Sequence, residues 1–189
     1  MPPKARISRD MVVEAALAVA RRDGAERVNA RTVARELNCS TQPVMYHFDT
    51  IEALRRAVYA RADRLHTEYL LTVSPEEDPL LGIGLNYIRF ALREPHLFRF
   101  LFQSGCTDTR DVRELIESPA LLPILSALGG EAGTDPERTK EIFWTVALFV
   151  HGYASLLSNN PMDFDETLAA AHLERTFRGA VLAAGEETP

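Results

Sequence analysis

The chain has 189 residues, 46% of them apolar and 25% charged, with 10 Gly and 11 Pro. Those proportions sit near the averages for globular proteins and exclude a collagen or an extended disordered chain. The formal charge of −6 would discourage a nucleic-acid partner if it were spread evenly, because phosphate contacts are made by Lys and Arg. It is not spread evenly: residues 1–60 carry 10 Lys and Arg against 7 Asp and Glu, a charge of +3, while the other 129 carry 11 against 20, a charge of −9. This asymmetry implies a small basic module on a larger acidic body. The longest apolar stretch, Ile142 to Val150 across Thr145, is about half the ~18–20 residues of a membrane span. It reads as a buried helix segment, and no membrane partner is expected. Cys39 and Cys106 form no CxxC pair, and the N-terminus lacks the apolar core of a secretory signal, so a cytoplasmic chain with reduced thiols is expected.

Apolar positions recur at helical spacing almost throughout, and no stretch shows the strict alternation of a strand, so the chain reads as all-α. Ser8 caps a helix over 9–23, with Ile7 and Val12 as a hydrophobic staple, Val13, Ala16, Leu17 and Ala20 as the inward stripe, and Gly24 as a left-handed stop. Asn29 opens a second helix of about eight residues that buries Val33, Ala34 and Leu37 and ends at Asn38. Ser40 is expected to cap a third, equally short helix, with Pro43 in its first turn. Thr50 starts a longer connector whose Leu54, Val58, Ala62, Leu65 and Tyr69 stripe runs to Pro75. Helices are predicted at about 79–93, 95–104 and 110–129. Two long helices end the chain, at 136–158, with Asp135 as cap and Pro136 in the first position, and at 163–184, closed by Gly185.

Two short helices joined by Asn38-Cys39-Ser40, with Val33, Ala34, Leu37, Val44 and Phe48 on the inner face, match a helix-turn-helix, whose second helix enters the major groove. Short helical hairpins are more often scaffold than DNA readers, so the exposed chemistry has to decide. The start of the third helix would meet base edges, which makes Thr41, Gln42 and Pro43 the candidate readers, with Tyr46 and His47 facing the backbone or the groove wall. Gln42 suits adenine, and Arg31 suits guanine or a phosphate. Thr32 and Ser40 stand at the two helix starts, where backbone N–H groups donate to phosphate oxygens. Lys4, Arg6 and Arg9 add charge from an N-terminal arm.

The segment Val28-Asn-Ala-Arg-Thr-Val-Ala-Arg-Glu-Leu-Asn-Cys-Ser-Thr-Gln-Pro-Val-Met-Tyr-His-Phe48, preceded by the helix ending at Gly24 and followed by Glu52-Ala-Leu54, resembles the N-terminal domain of the TetR family of transcriptional repressors. The likeness covers about residues 7–58. The chain departs from the family at Asn38, where Gly is usual, at Met45, where Tyr is usual, and at Ile51, where a phosphate-binding Lys is usual. The resemblance implies a three-helix DNA-binding domain over 1–50, a connector helix over 51–74 and an effector-binding and dimerisation domain over 75–185. It also implies a homodimer on palindromic double-stranded DNA, held by a four-helix interface of the last two helices. The residues agree: the 136–158 helix carries Ile142, Phe143, Val146, Leu148, Phe149, Val150, Leu156 and Leu157 on more than one stripe, where one stripe suffices for a monomer core. Gly179-Ala180 leaves room for close helix approach.

The aromatic residues of the acidic body give a candidate site for a small lipophilic effector, lined by Tyr87, Phe98, Phe102, Trp144 and His151. Phe143-Trp144…His151-Gly152 resembles a Trp…His-Gly pattern found in one subgroup of TetR effector domains. Taken one by one, such aromatics are more often ordinary core, and a helical His often bonds a backbone carbonyl. No catalytic residue, metal or cofactor is expected. HExxH, GxSxG and P-loop patterns are missing, Gly82-Ile-Gly84 lacks a third Gly and a preceding strand, and His47, His66, His96, His151 and His172 are not paired at metal-ligand spacing. A small all-α enzyme and a helical protein-binding adaptor are the alternatives.

Overall fold

Side-chain caps start most of the helices. In this computed structural model, which describes residues 7–74, 76, 78–105, 121–132 and 135–185, α1 spans Arg9–Asp23, and Ser8 Oγ accepts from the Met11 N–H at 3.2 Å. The helix stops at Gly24, whose φ of +95° suits a residue without Cβ. A 3-10 turn over Ala25–Arg27 leads into α2 (Ala30–Glu36), α3 (Gln42–His47) and α4 (Ile51–Leu70). Next come α5 (Pro79–Arg93), α6 (Pro95–Gln103), α7 (Leu122–Ala132), α8 (Pro136–Asn159) and α9 (Glu166–Gly185). Asp78, Asp135 and Asp165 accept from first-turn N–H groups of α5, α8 and α9, and Pro fills the first position of α5 and α8, where a missing N–H costs little. Among the described residues every regular element is helical, and the fold is all-α.

Several boundaries differ from the sequence reading. α4 ends at Leu70, and its buried stripe is Leu54, Val58, Ala62, His66 and Leu70, not Leu65 and Tyr69, which are half-buried. Four-residue steps drift about 40° round a helix each time, so the buried face winds along α4 and meets different neighbours. α3 begins at Gln42, with Thr41 in the capping position: the Thr41 carbonyl accepts from the Met45 N–H at 3.1 Å, and its side chain makes no capping hydrogen bond. The expected cap at Ser40 is therefore not formed. The first part of the helix expected over 110–129 lies outside the described residues, as does Cys106.

The chain divides into two compact units, Met1–His66 with Glu94–Asp108, and Thr67–Arg93 with Thr109–Pro189. In the first, Val12, Val19, Val28, Val33, Val44, Leu54, Val58, Leu97 and Phe98 are fully buried. This unit includes α6, which the sequence reading placed in the acidic body. Leu97, Phe98, Phe100 and Leu101 bury against it, the Arg21 guanidinium pairs with Glu94, and the Tyr59 hydroxyl donates to the Leu101 carbonyl at 3.1 Å.

In the second unit α8 packs along both α5 and α9. Leu128, Ile142 and Ala180 form a core covered by Leu80, Phe143, Val146, Phe177 and Val181. The glycines of the Gly82-Ile-Gly84 stretch are packing residues: a Cβ at Gly84 would lie 2.3 Å from Leu173 Cδ2, and one at Gly82 2.4 Å from Val73 Cγ1. Buried Asn86 directs its amide to the carbonyls of Tyr69, Leu70 and Thr72 at 3.4, 3.3 and 3.2 Å, satisfying the open end of α4. Arg89 ties α5 to Glu166 at the start of α9 at 2.6 Å. By length and composition α8 is, among the described helices, the one apolar enough to cross a membrane, a property that the Ile142 to Val150 stretch alone did not reveal. Its apolar residues divide between a buried face, with Ile142, Val150, Ala154 and Leu157, and an exposed one, with Leu148 and Leu156.

Candidate nucleic-acid interface and effector site

The helix-turn-helix is assembled by short-range hydrogen bonds. Asn29 Oδ1 accepts from the Arg31 and Thr32 N–H groups at 3.0 and 3.1 Å, and Thr32 Oγ1 accepts from the Asn29 N–H at 3.1 Å, which closes a reciprocal capping box. The Thr32 hydroxyl also donates to the Arg27 carbonyl at 2.7 Å. Thr32 is therefore engaged in holding the start of α2. The turn that follows passes through Asn38 at φ +52°, and the Cys39 N–H returns to the Ala34 carbonyl at 2.9 Å.

α3 is anchored from below by Val44 and Phe48, both buried, and the Arg9 guanidinium lies over the Phe48 ring at 4.7 Å. Arg9 thereby belongs to the support of α3. Ser40, Thr41, Gln42 and Tyr46 are exposed, Pro43 and His47 are half-buried, and Arg31 is exposed on the first turn of α2. His47 Nε2 lies 2.9 Å from the Ile7 carbonyl, so that nitrogen carries the proton and donates. The Tyr46 ring stands edge-on to His47 at 5.1 Å. Lys4 and Arg6 lie outside the described residues.

The candidate effector residues fall into two groups. Phe98 and Phe102 belong to the first unit: Phe98 is fully buried and packs on Phe102 at 5.1 Å, and Phe102 meets the buried His66 ring at 5.3 Å. Burial holds the His66 pKa down at about 4. Tyr87, Trp144 and His151 belong to the second unit. The Tyr87 hydroxyl and His151 Nδ1 are 2.9 Å apart, and His151 Nε2 is 3.3 Å from Ser155 Oγ. Burial raises the Tyr87 pKa and lowers that of His151, so a protonated phenol meets a neutral imidazole. A neutral imidazole has one donor and one acceptor, so the two hydrogen bonds run in one sense along Tyr87, His151 and Ser155. Ser155 and Asn86 were missed in the sequence. Their signals were the i+4 spacing from His151 and an Asn that interrupts the apolar run from Leu80 to Leu85.

Residues 80–180 match the tetracyclin repressor-like C-terminal domain. The chain belongs to the TetR family. It is a ligand-responsive DNA-binding transcriptional regulator, as that membership implies. An uncharacterized HTH-type transcriptional regulator of Bacillus subtilis (strain 168), YobS, is 22% identical over 189 residues, 96% of each chain. A tetR-family transcriptional regulator from Streptomyces coelicolor superposes on this chain with a TM-score of 0.71 at 19% identity, covering 93% of this chain and 81% of the other. TetR from Acinetobacter baumannii AYE, crystallised in complex with minocycline, gives 0.64 at 18% identity over 97% of both chains. Apo ActR from Streptomyces coelicolor gives 0.67 at 15%, covering 97% and 99%. These structural likenesses establish the fold.

Proposed function

We propose that the protein is a cytoplasmic homodimeric repressor that binds a palindromic operator through α3 and is released by a small lipophilic effector held in the second unit. The observation that carries the DNA reading is the two-sidedness of α3. Val44 is fully buried, while Thr41, Gln42 and Tyr46 stay exposed on a helix tied to the start of α1 by Arg9 over the Phe48 ring and by His47 against the Ile7 carbonyl. The assigned contacts are base edges for Thr41, Gln42 and Pro43, and phosphate or groove wall for Arg31, Ser40, Tyr46 and His47, with Lys4 and Arg6 adding charge.

The dimer reading is supported by apolar side chains that the subunit leaves uncovered, Leu148 and Leu156 on α8 and Leu168 and Leu182 on α9. Gly152 and Gly179 support it as well, since a Cβ at either would meet nothing within 4 Å. Their small size serves nothing inside the subunit. An open groove of about 420 Å³, lined by Glu141, Thr145, Arg175, Gly179 and Ala183 among others, lies on the same two helices. The effector is assigned to the surroundings of Tyr87, Trp144 and His151, where neutral hydrogen-bonding groups sit beside apolar surface. Release follows if the effector prefers the dimer whose two α3 helices are wrongly spaced for the operator.

Selection of bound sites from random duplex DNA tests this reading, and an enriched palindrome is the expected result. Failure to enrich any sequence at low salt would overturn it. On the selected duplex the slope of log affinity against log salt is expected to be shallow, about 1.8 lower in magnitude than with one more ionic contact per subunit. Trp144 is the single Trp of the chain, so its fluorescence reports on the effector assignment. A compound that releases the DNA without changing that fluorescence counts against the placement.

A further inference from the structure

Met45 is 43% exposed on the outer side of α3 and Tyr46 is 73% exposed, and the fold gains nothing from either exposure. Gln42, Met45 and Tyr46 stand at positions i, i+3 and i+4 and so share one face, while the buried Val44 and Phe48 fix the opposite one. This outward face is uncharged. Gln42 brings an amide donor and acceptor, whereas Met45 brings a flexible thioether with no proton to donate. The Tyr46 ring is held beside His47, and Met45 is left as the forward apolar contact of the helix.

In the major groove almost every feature of a base edge is a donor or an acceptor, and the one apolar group is the 5-methyl of thymine. A Met side chain pressed on guanine O6 or cytosine N4 would strip water from a polar atom and return no hydrogen bond. Pressed on a thymine methyl, it loses nothing. The rise of about 4.5 Å between residues i and i+3 of a helix is close to the ~3.4 Å step of one strand. Met45 therefore reaches the base pair next to the one that Gln42 meets.

We propose that Met45 determines operator specificity by packing on the 5-methyl group of a thymine adjacent to an adenine read by Gln42. This rests on the reading of α3 as the helix in the groove, and it gives Met45 a base-reading role at a position where the family resemblance implies a phosphate-contacting Tyr. The test uses full-length protein and the duplex selected from random DNA. Each thymine in a half-site is replaced in turn by deoxyuridine, which removes the methyl and leaves pairing intact. One position is expected to weaken binding by about fourfold per half-site, the worth of one buried methyl group. Met45→Ala is expected to bind the thymine and deoxyuridine duplexes equally, Met45→Leu to keep the difference, and Gln42→Ala to keep it too while losing the adenine preference. A selected site on which no deoxyuridine matters, or a penalty that persists in Met45→Ala, overturns the role of Met45 and leaves DNA binding standing. No selected site at all overturns the reading of α3 itself.

Discussion

The surface assigned to DNA in the first unit is built from near neighbours in the chain, from Asn29 to Phe48, whereas the polar centre of the second joins Tyr87 to His151 across 64 positions. The first is shaped mainly by caps and turns that act over three or four residues, such as the Asn29 and Thr32 box and the Asn38 turn, with α3 tied further to Ile7 and Arg9. The second exists only because α5 and α8 pack together, in a unit where Gly84 of α5 also admits Leu173 of α9. A local surface survives changes elsewhere in the fold. A surface made by helix contacts fails when one contact is lost.

The strongest way to break the second arrangement is to fill the space at Gly84. Gly84→Leu keeps a good helix former in α5, so overpacking is the main effect, and it is expected to cost about 3 kcal/mol in urea unfolding. Leu173 is 2% exposed and has little room to move. Adding Leu173→Ala should recover more than half of the loss, and strictly additive losses would place the strain elsewhere.

His66 gives a smaller effect that loads the first unit. Its folded pKa, held at about 4 by burial, lies below the ordinary value near 6.5, so the unfolded chain binds the proton more readily than the folded one. Stability is then complete above about pH 6.5 and falls as the pH drops toward 4, with a loss of about 2 kcal/mol by pH 5. His151, also lowered by burial, contributes in the same direction from the second unit. Unfolding midpoints measured from pH 7.5 to 5 should decline in the native chain and decline much less in His66→Leu. An unchanged decline in that variant would remove His66 as the cause.

The same contrast explains what the sequence made legible. The ends of α1 at Ser8 and Gly24, the Asn29 cap, the left-handed Asn38 and the Asp135-Pro136 start were readable because each rests on a rule spanning a few residues. The place of α6 in the first unit was not readable, since Leu97 and Phe98 are equally good core residues for either unit. Tyr87 and His151 were both named, yet their hydrogen bond was not, because nothing local aligns one with the other. The Ser40 cap was misread within a local rule: Pro43 suits the first turn equally well when the helix starts at Gln42, so the motif tolerated a shift in its start.

The smallest expected effect sharpens the local side of the comparison. Asn38 holds a φ of +52° at the position where the family resemblance implies Gly. Asn is the side chain best suited to that conformation after Gly, and Gly in turn has more freedom to lose from the unfolded chain, about 0.5–1 kcal/mol. The two effects oppose each other, so Asn38→Gly should change stability by no more than about 0.5 kcal/mol. Asn38→Ala has no such offset and should lose about 1 kcal/mol, with the order Gly and Asn above Ala in thermal unfolding. Equal stability of Ala and Asn would mean that the turn between α2 and α3 does not depend on the left-handed residue. A loss confined to Ala would mean that this turn is set by the backbone preference of one residue, as the local reading of the first unit requires.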